Sequence, residues 1–264
     1  MIYIIGGEGF IGSAVVRFCQ KSMFEYRVIS RQNYNNYIGS SCDILINSNG
    51  NSKKYLGKED PVLDFKLSVL SVRESLKDFN FNKYLLFSSC DVYPDCSNPD
   101  LTDEDTAIDI SKQSIYGFHK YLAEECVRHC AKDWMIIRFG GFVGPNLKKN
   151  PIHDILTGGP LWLDPGSQLQ YLHTDEAAKI IFYLVDIGIK NEIINVCGNG
   201  LVKLSDVITL LGRDVPVKPG SPFVRYDVNI NKLKKYCIVP NSQETVIKFI
   251  QEAVTGLNRG EAIV

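Results

Sequence analysis

Apolar residues run along this chain in short blocks, and the blocks alternate between two spacings. "IYII" (2–5) is a continuous apolar run closed by glycines, and "SAVVRFCQKS" (13–22) follows with apolar positions three and four apart. "YRVIS" (26–30), "DILINS" (43–48), "KYLLFSS" (83–89), "WMIIRFG" (134–140) and "EIINVCG" (192–198) repeat the strand pattern. "PVLDFKLSVLSVRESLKDF" (61–79), "QSIYGFHKYLAEECVRHCA" (113–131) and "TDEAAKIIFYLVDIG" (174–188) repeat the helical one. Continuous apolar strands alternating with amphipathic helices predict an α/β fold, a doubly wound parallel sheet of Rossmann type with helices on both faces.

The pattern breaks after Gly144-Pro145. The stretch from 144 to 170 is rich in Gly, Pro and Asn, and helical spacing returns near "LSDVITLLG" and "SQETVIKFIQEAV". The expectation is a dinucleotide-binding domain over 1–145 plus roughly 171–198. A smaller C-terminal α/β substrate lobe would be built from 146–170 and 199–264.

Composition narrows the class. The 264 residues are 45% apolar and 22% charged with net charge -1, which suits a packed domain and offers no basic surplus for nucleic acid or anionic lipid. No apolar run reaches the length of a membrane span, and the chain begins in its first strand without a signal-like segment. Eight cysteines form no CxxC pair and have no histidine cluster near them, so the expectation is reduced thiols in a cytoplasmic chain and no metal.

"GGEGFIG" sets Gly6, Gly9 and Gly12 between a strand and a helix. Glycines there allow a tight turn and close approach of a pyrophosphate, while the helix start, at Phe10 and Ile11, offers free N–H groups. At the end of the second strand stand Ser30 and Arg31. An acidic residue there would suit the ribose of NAD; an arginine suits the 2′-phosphate of NADP, which is favoured, with NAD as the alternative. Gln32 to Cys42 leave little room for a further strand before the next one.

Tyr116 and Lys120 lie four apart, on one face of the predicted helix. A free tyrosine is a poor acid or base at neutral pH, and a nearby ammonium and an oxidised nicotinamide would lower its pKa. "LLFSSCDVYP" places Ser88 and Ser89 at the carboxyl end of a strand, where α/β folds bind ligands.

With these motifs, in this order, the chain resembles the extended short-chain dehydrogenase/reductases, and more narrowly the NAD-dependent epimerase/dehydratase family that acts on nucleotide sugars. "GGEGFIG", "DILINSNG", "FSSCDVYP", "LTDEDT", "YGFHK", "RFGGFVGP", "QYLHTDEAA", "INVCGNG" and "YDVNINKLKKY" carry the resemblance. It implies Ser89, Tyr116 and Lys120 as the catalytic set. Asn47, Ser48 and Asn49 would line the cofactor, and Arg138, Gly140 and Gly141 would stand near the nicotinamide. It implies a substrate site near Asn51, Ser52, Lys53, Cys90, Asp91 and Asn146, and a homodimer through the two long helices. Gln170 stands where the family often has an arginine for the sugar diphosphate; Lys53, Lys54, Lys148 and Lys149 could supply that charge, or be solvated surface.

Three chemistries compete. A 4-ketoreductase using NADPH needs only Ser89, Tyr116 and Lys120 and is favoured; a 4-epimerase needs the same set with retained NAD. A 4,6-dehydratase needs an extra acid/base pair, at Cys90 and Asp91, although the favoured reading of Asp91 is a loop carboxylate bonded to local backbone. The rival from another class is a silent dinucleotide sensor. His119 is expected at a surface or dimer contact and His173 in a structural hydrogen bond. Tyr93, Trp162 and Tyr171 are expected to line the sugar pocket or the core.

Overall fold

Ile2, Tyr3, Ile4 and Ile5 are all buried, as a strand covered on both faces must be. They form β1 (Ile2–Ile5) in the middle of a parallel sheet in the computed structural model, which describes residues 1–258. The other strands are β2 (Tyr26–Ile29), β3 (Ser41–Asn47), β4 (Asn80–Ser89), β5 (Trp134–Phe139) and β6 (Glu192–Val196). Every pairing is parallel, and the order is β2-β1-β3-β4-β5-β6. This is the doubly wound Rossmann arrangement without the edge strand that usually flanks β2. Between β2 and β3 the chain makes only the 3₁₀ turn Tyr34–Tyr37, and β3 pairs on the opposite side of β1.

Helices close both faces. α1 (Phe10–Lys21) and α3 (Thr174–Asp186) cover one face over a cluster that includes Ile4, Val15, Leu85, Ile137 and Ile181. α2 (Ile115–Cys130) covers the other, over Tyr3, Leu45, Tyr84, Val127 and Ile136. Beside α2 lies a helical rod, Pro61–Phe65 and Ser71–Asp78, joined by a π-helical turn at Lys66–Leu70. Its start is fixed by Asp60, which accepts from the Leu63 N–H at 2.9 Å, and by Pro61 in the first turn. The uniform helix expected from 61 to 79 is interrupted by that wider turn.

A third apolar cluster, with Val143, Leu147, Ile152, Leu161, Tyr171, Val202 and Phe249, gathers segments expected to form the smaller lobe, whereas Val228, Ile230 and Leu233, expected in the same lobe, belong to the cluster under α1 and α3. The third cluster includes Val143 and Tyr171, on the far side of the bounds read from sequence. Residues 259–264, assigned to this lobe from the sequence, lie outside the described part. The parallel pair Gly141–Val143 and Tyr171–His173 leads from the sheet into it. Gln170 is buried there and clasps Val228 in both directions, donating to its carbonyl at 3.1 Å and accepting from its N–H at 2.8 Å. The pair of bonds holds Gln170 to the chain at Val228, and its 2% exposure turns it away from solvent. No described helix is long and apolar enough to cross a membrane, and no metal-ligating cluster exists among the described residues.

Candidate active site

The glycine turn is built by close approach. Gly6 has φ +79°, and a Cβ there would stand 2.9 Å from the Asn49 nitrogen. A Cβ on Gly12 would stand 2.2 Å from the Gly6 carbonyl oxygen, so only glycine lets α1 sit this tightly on the turn. Gly9 caps α1 without a side-chain hydrogen bond, leaving the first N–H groups of Phe10 and Ile11 free for an anion. The Phe10 ring itself packs edge-on to Phe142. Beside this turn opens a cavity of about 520 Å³, lined by Gly6, Gly7, Ser30, Arg31, Asn49 and Ser71 among others. Glu8 and Glu74, which the sequence reading did not single out, line the same cavity. Turn, free helix end and cavity together fit a dinucleotide.

Ser48 and Asn49 border this cradle: Ser48 Oγ donates to the Ile5 carbonyl at 2.7 Å and Asn49 lines the cavity. Asn47 stands behind it: its side chain is fully buried, donates to Ser75 Oγ at 3.1 Å and Tyr84 Oη at 2.8 Å, and accepts from the Asn49 N–H at 3.0 Å. The strand alternation that sends Ser48 toward the turn sends Asn47 into the core.

β4 delivers the next group. Ser88 and Ser89 point to opposite faces. Ser88 donates to Glu124 at 2.5 Å inside the core, whereas Ser89 ends the strand and caps the turn Cys90–Val92. Ser89 Oγ accepts from the Asp91 N–H at 3.1 Å and donates to Asp91 Oδ2 at 2.9 Å. α2 starts at the N-cap Ser114, whose hydroxyl accepts from the Gly117 N–H at 3.0 Å. A Cβ on Gly117 would stand 2.1 Å from the Asp91 carbonyl oxygen, so this glycine lets the helix press Tyr116 against Ser89. Tyr116 and Lys120 are both buried, with the Lys120 ammonium 5.7 Å from the centre of the Tyr116 ring.

Burial, then the charges of Asp91 and Asp64, hold the Tyr116 phenol well above its ordinary pKa; a hydrogen bond with Ser89 is the opposing influence. The lowering expected from Lys120 does not appear; a desolvated phenolate beside two carboxylates is the costlier form. Burial also lowers the Lys120 ammonium to about 8, with Asp64, Asp91 and Glu124 acting against that fall. Asp91 stands at the centre of the polar network: besides Ser89 it accepts from Lys54 Nζ at 2.7 Å, and the Tyr226 hydroxyl lies 3.5 Å away. Tyr226 is a site residue the sequence reading passed over, although it opens the "YDVNINKLKKY" motif.

Several other candidates stand elsewhere. Cys90 is buried, with its sulfur 3.4 Å from the Arg138 carbonyl oxygen and 3.6 Å from the sulfur of Cys197. It points into the core and cannot form an acid/base pair with Asp91. Arg138 is buried as well; it donates to Glu124 at 2.6 Å and lies 4.8 Å over the Tyr93 ring, remote from the cradle. Gly141 packs against Gln170 and Tyr171, and Asn146 holds a left-handed turn at φ +68°. Asn51 is buried and bonded to Asp64, while Ser52 and Lys53 are exposed at the mouth. His119 is not at the surface: it is buried and bonded to Asp64 at 2.8 Å. His173 caps α3 by accepting from the Asp175 N–H at 3.2 Å. Tyr93 and Tyr171 lie in the core, and Trp162 is exposed under Lys218.

The sequence model of the NAD dependent epimerase/dehydratase family matches residues 2–197. The chain belongs to that family. No curated protein sequence matches this family member. Among solved structures it is similar to a UDP-galactose 4-epimerase, with 20% identity, a TM-score of 0.79, and 97% of this chain covering 99% of that one. It is similar to a dTDP-4-dehydrorhamnose reductase from Bacillus anthracis in complex with NADP, at 15% identity, TM-score 0.76, and 95% and 97% coverage. It is also similar to a dTDP-glucose 4,6-dehydratase from Bacillus anthracis in complex with NAD, at 18% identity, TM-score 0.73, and 95% coverage of both chains. At these identities the likeness carries the fold, and one fold here hosts three different reactions.

Proposed function

We propose that this family member is an NADPH-dependent 4-ketoreductase of a nucleotide-activated sugar, acting as a homodimer. The observation that carries the reading is the convergence of Ser89, Tyr116 and Lys120 beside the glycine cradle, with the Tyr116 phenol held in its protonated form. Bound in the cradle, the nicotinamide supplies the hydride. Tyr116 then gives its proton to the carbonyl oxygen, and Ser89 orients that oxygen by turning its hydroxyl from Asp91 to the substrate. The Lys120 ammonium stabilises the phenolate left behind. Arg31 on the cavity wall supports NADP through its 2′-phosphate. Lys53, Lys54 and Lys149 support an anionic substrate: burial first, and then the nearby charges of Lys53 and Lys54, lower the proton affinity of Lys149.

The burial of Cys90 weighs against the dehydratase, which needs a pair of acid/base groups after the serine. Glu8 and Glu74 in the cofactor cavity favour a second reading, in which NAD is retained and the enzyme is a 4-epimerase.

The test is to incubate the protein with NADPH and a panel of 4-keto nucleotide sugars and follow cofactor oxidation. Turnover of at least one sugar, reduced by roughly 100-fold or more in Tyr116→Phe, is expected for loss of a positioned acid. Unchanged turnover in Tyr116→Phe would refute the reductase mechanism. Interconversion of 4-hydroxyl epimers without net cofactor oxidation would establish the epimerase instead.

A further inference from the structure

Three carboxylates oppose the loss of the Lys120 proton: Asp64, Asp91 and Glu124. Two of them already have cations. Glu124 holds Arg138 at 2.6 Å, and Asp91 holds Lys54 at 2.7 Å. Asp64 has no lysine or arginine partner among the described residues; its ionisable neighbour is His119, with Nδ1 at 2.8 Å, a cation only when protonated. Asp64 is fully buried at 0% exposure. It accepts from Asn51 Nδ2 at 2.8 Å, from Ser68 Oγ at 3.3 Å and from His119. Donors on every side are the pattern of an ionised carboxylate, and a buried carboxylate needs a compensating charge. Besides His119, the nearby basic group is Lys120, one residue further along α2, on whose ammonium Asp64 acts.

The same carboxylate also fixes the wall of the site. Asn51, held by Asp64, donates to the Lys53 carbonyl at 2.8 Å and accepts from the Lys53 N–H at 2.7 Å. The segment 50–57 that this pin secures touches both catalytic side chains. A Cβ on Gly50 would stand 2.7 Å from Lys120 Nζ, and one on Gly57 would stand 3.1 Å from the Tyr116 nitrogen and 3.3 Å from Asp64 Oδ2. Asp64 itself sits just before the π-helical turn Lys66–Leu70, a feature that often marks functional sites.

We propose that Asp64 is a positioning residue for the reaction: its buried carboxylate supports the Lys120 ammonium, and through Asn51 it holds the segment 50–57 against Tyr116 and Lys120. This rests on the reductase reading only in naming Tyr116 and Lys120 as the catalytic pair. The groups facing Lys120 are Asp64, Asp91, Glu124 and Tyr116, and His119 faces Asp64 from α2 itself.

The first measurement needs neither substrate nor cofactor. The rate of Lys120 acetylation by acetic anhydride, followed by peptide mass mapping across pH, reports its protonation in the free protein. In Asp64→Asn the midpoint should fall by about one pH unit, the lower end of the effect of a nearby charge. If the protein turns over a sugar, the alkaline limb of its rate–pH profile should move down with it. His119→Gln and Asn51→Ala keep the carboxylate; both should keep the midpoint, and Asn51→Ala should lower kcat. A merely structural role would lower activity evenly across pH and leave the midpoint in place, which overturns the proposal. So would a midpoint that moves equally in His119→Gln, a result readable even if Asp64→Asn does not fold.

Discussion

Lys120 is the residue at which function and stability oppose each other. Its ammonium titrates near 8 in the folded chain against 10.5 for an ordinary lysine, because burial strips its water. Between those values the unfolded chain binds more protons than the folded one, so this residue's contribution to stability rises with pH across that window. It is fully present above the unfolded value and lost as pH falls through the folded one. The charged form therefore costs roughly 3 kcal/mol at neutral pH, an order-of-magnitude figure. Lys120→Met, which keeps the stem and removes the charge, should raise the melting temperature at about pH 7 while abolishing turnover, the usual exchange at an active site. Thermal melts at about pH 7 and pH 10 check this: the variant's advantage should shrink at the higher pH, and identical melts at the lower pH would show that the buried ammonium carries no cost. The same residue scale shows where sequence reading failed. Asn47, Cys90, Arg138 and His119 were each placed by neighbours in the chain, but each is fixed by a partner far away in it: Tyr84, Cys197, Glu124 and Asp64 respectively. Residue spacing gives the face of a helix or strand, not what packs on that face.

At the scale of elements, the sequence was read most easily where period and punctuation agreed. The buried strands, the glycine turn and the helical spacing of α2 follow from apolar runs, glycine freedom and amphipathic period, all of them local. The π-helical turn at Lys66–Leu70 has no such local signature; it widens the rod through packing against α2. The missing edge strand was legible only as a shortage of residues between Gln32 and Cys42. Its consequence is structural: the cavity beside β2 is bounded by Tyr34 and Asn35 from a 3₁₀ turn, with Arg31 the lone basic residue on its wall among the described lining residues. On the proposed NADPH reading, selectivity for a 2′-phosphate rests on one side chain set against Glu8 and Glu74. Arg31→Ala should weaken NADPH binding by roughly tenfold or more while changing NADH binding about twofold or less, since a charge-assisted contact is worth ~1.5–3 kcal/mol. Titration of both cofactors against both proteins measures it, and equal losses for the two would remove Arg31 from that role.

Across the whole molecule, like charges gather along a seam between the segment 50–57 and the region expected to form the smaller lobe. Lys149 of that region reaches over to Ser52, donating to its carbonyl at 2.7 Å and lying 3.2 Å from its hydroxyl. Its proton affinity is lowered by burial first and then by Lys53 and Lys54. Among the described residues, only Lys54 of the three lysines is matched, by Asp91. Without a ligand, the seam holds cations that repel one another across it; an anionic substrate seated between them would turn that repulsion into a bridge. The family's usual basic position is taken here by Gln170, which is held to Val228, so the charge for binding has to come from the seam. Replacing Lys53 and Lys149 together by methionine removes it while leaving Asp91 paired with Lys54. The expected result for a nucleotide sugar is a KM raised about tenfold, roughly 1.4 kcal/mol of uniform binding, with kcat within about twofold of the parent. The effect should fade as salt is raised, because exposed charges are screened. An unchanged KM at low salt would assign these lysines to solvent and leave the substrate's charge to be met elsewhere in the cleft.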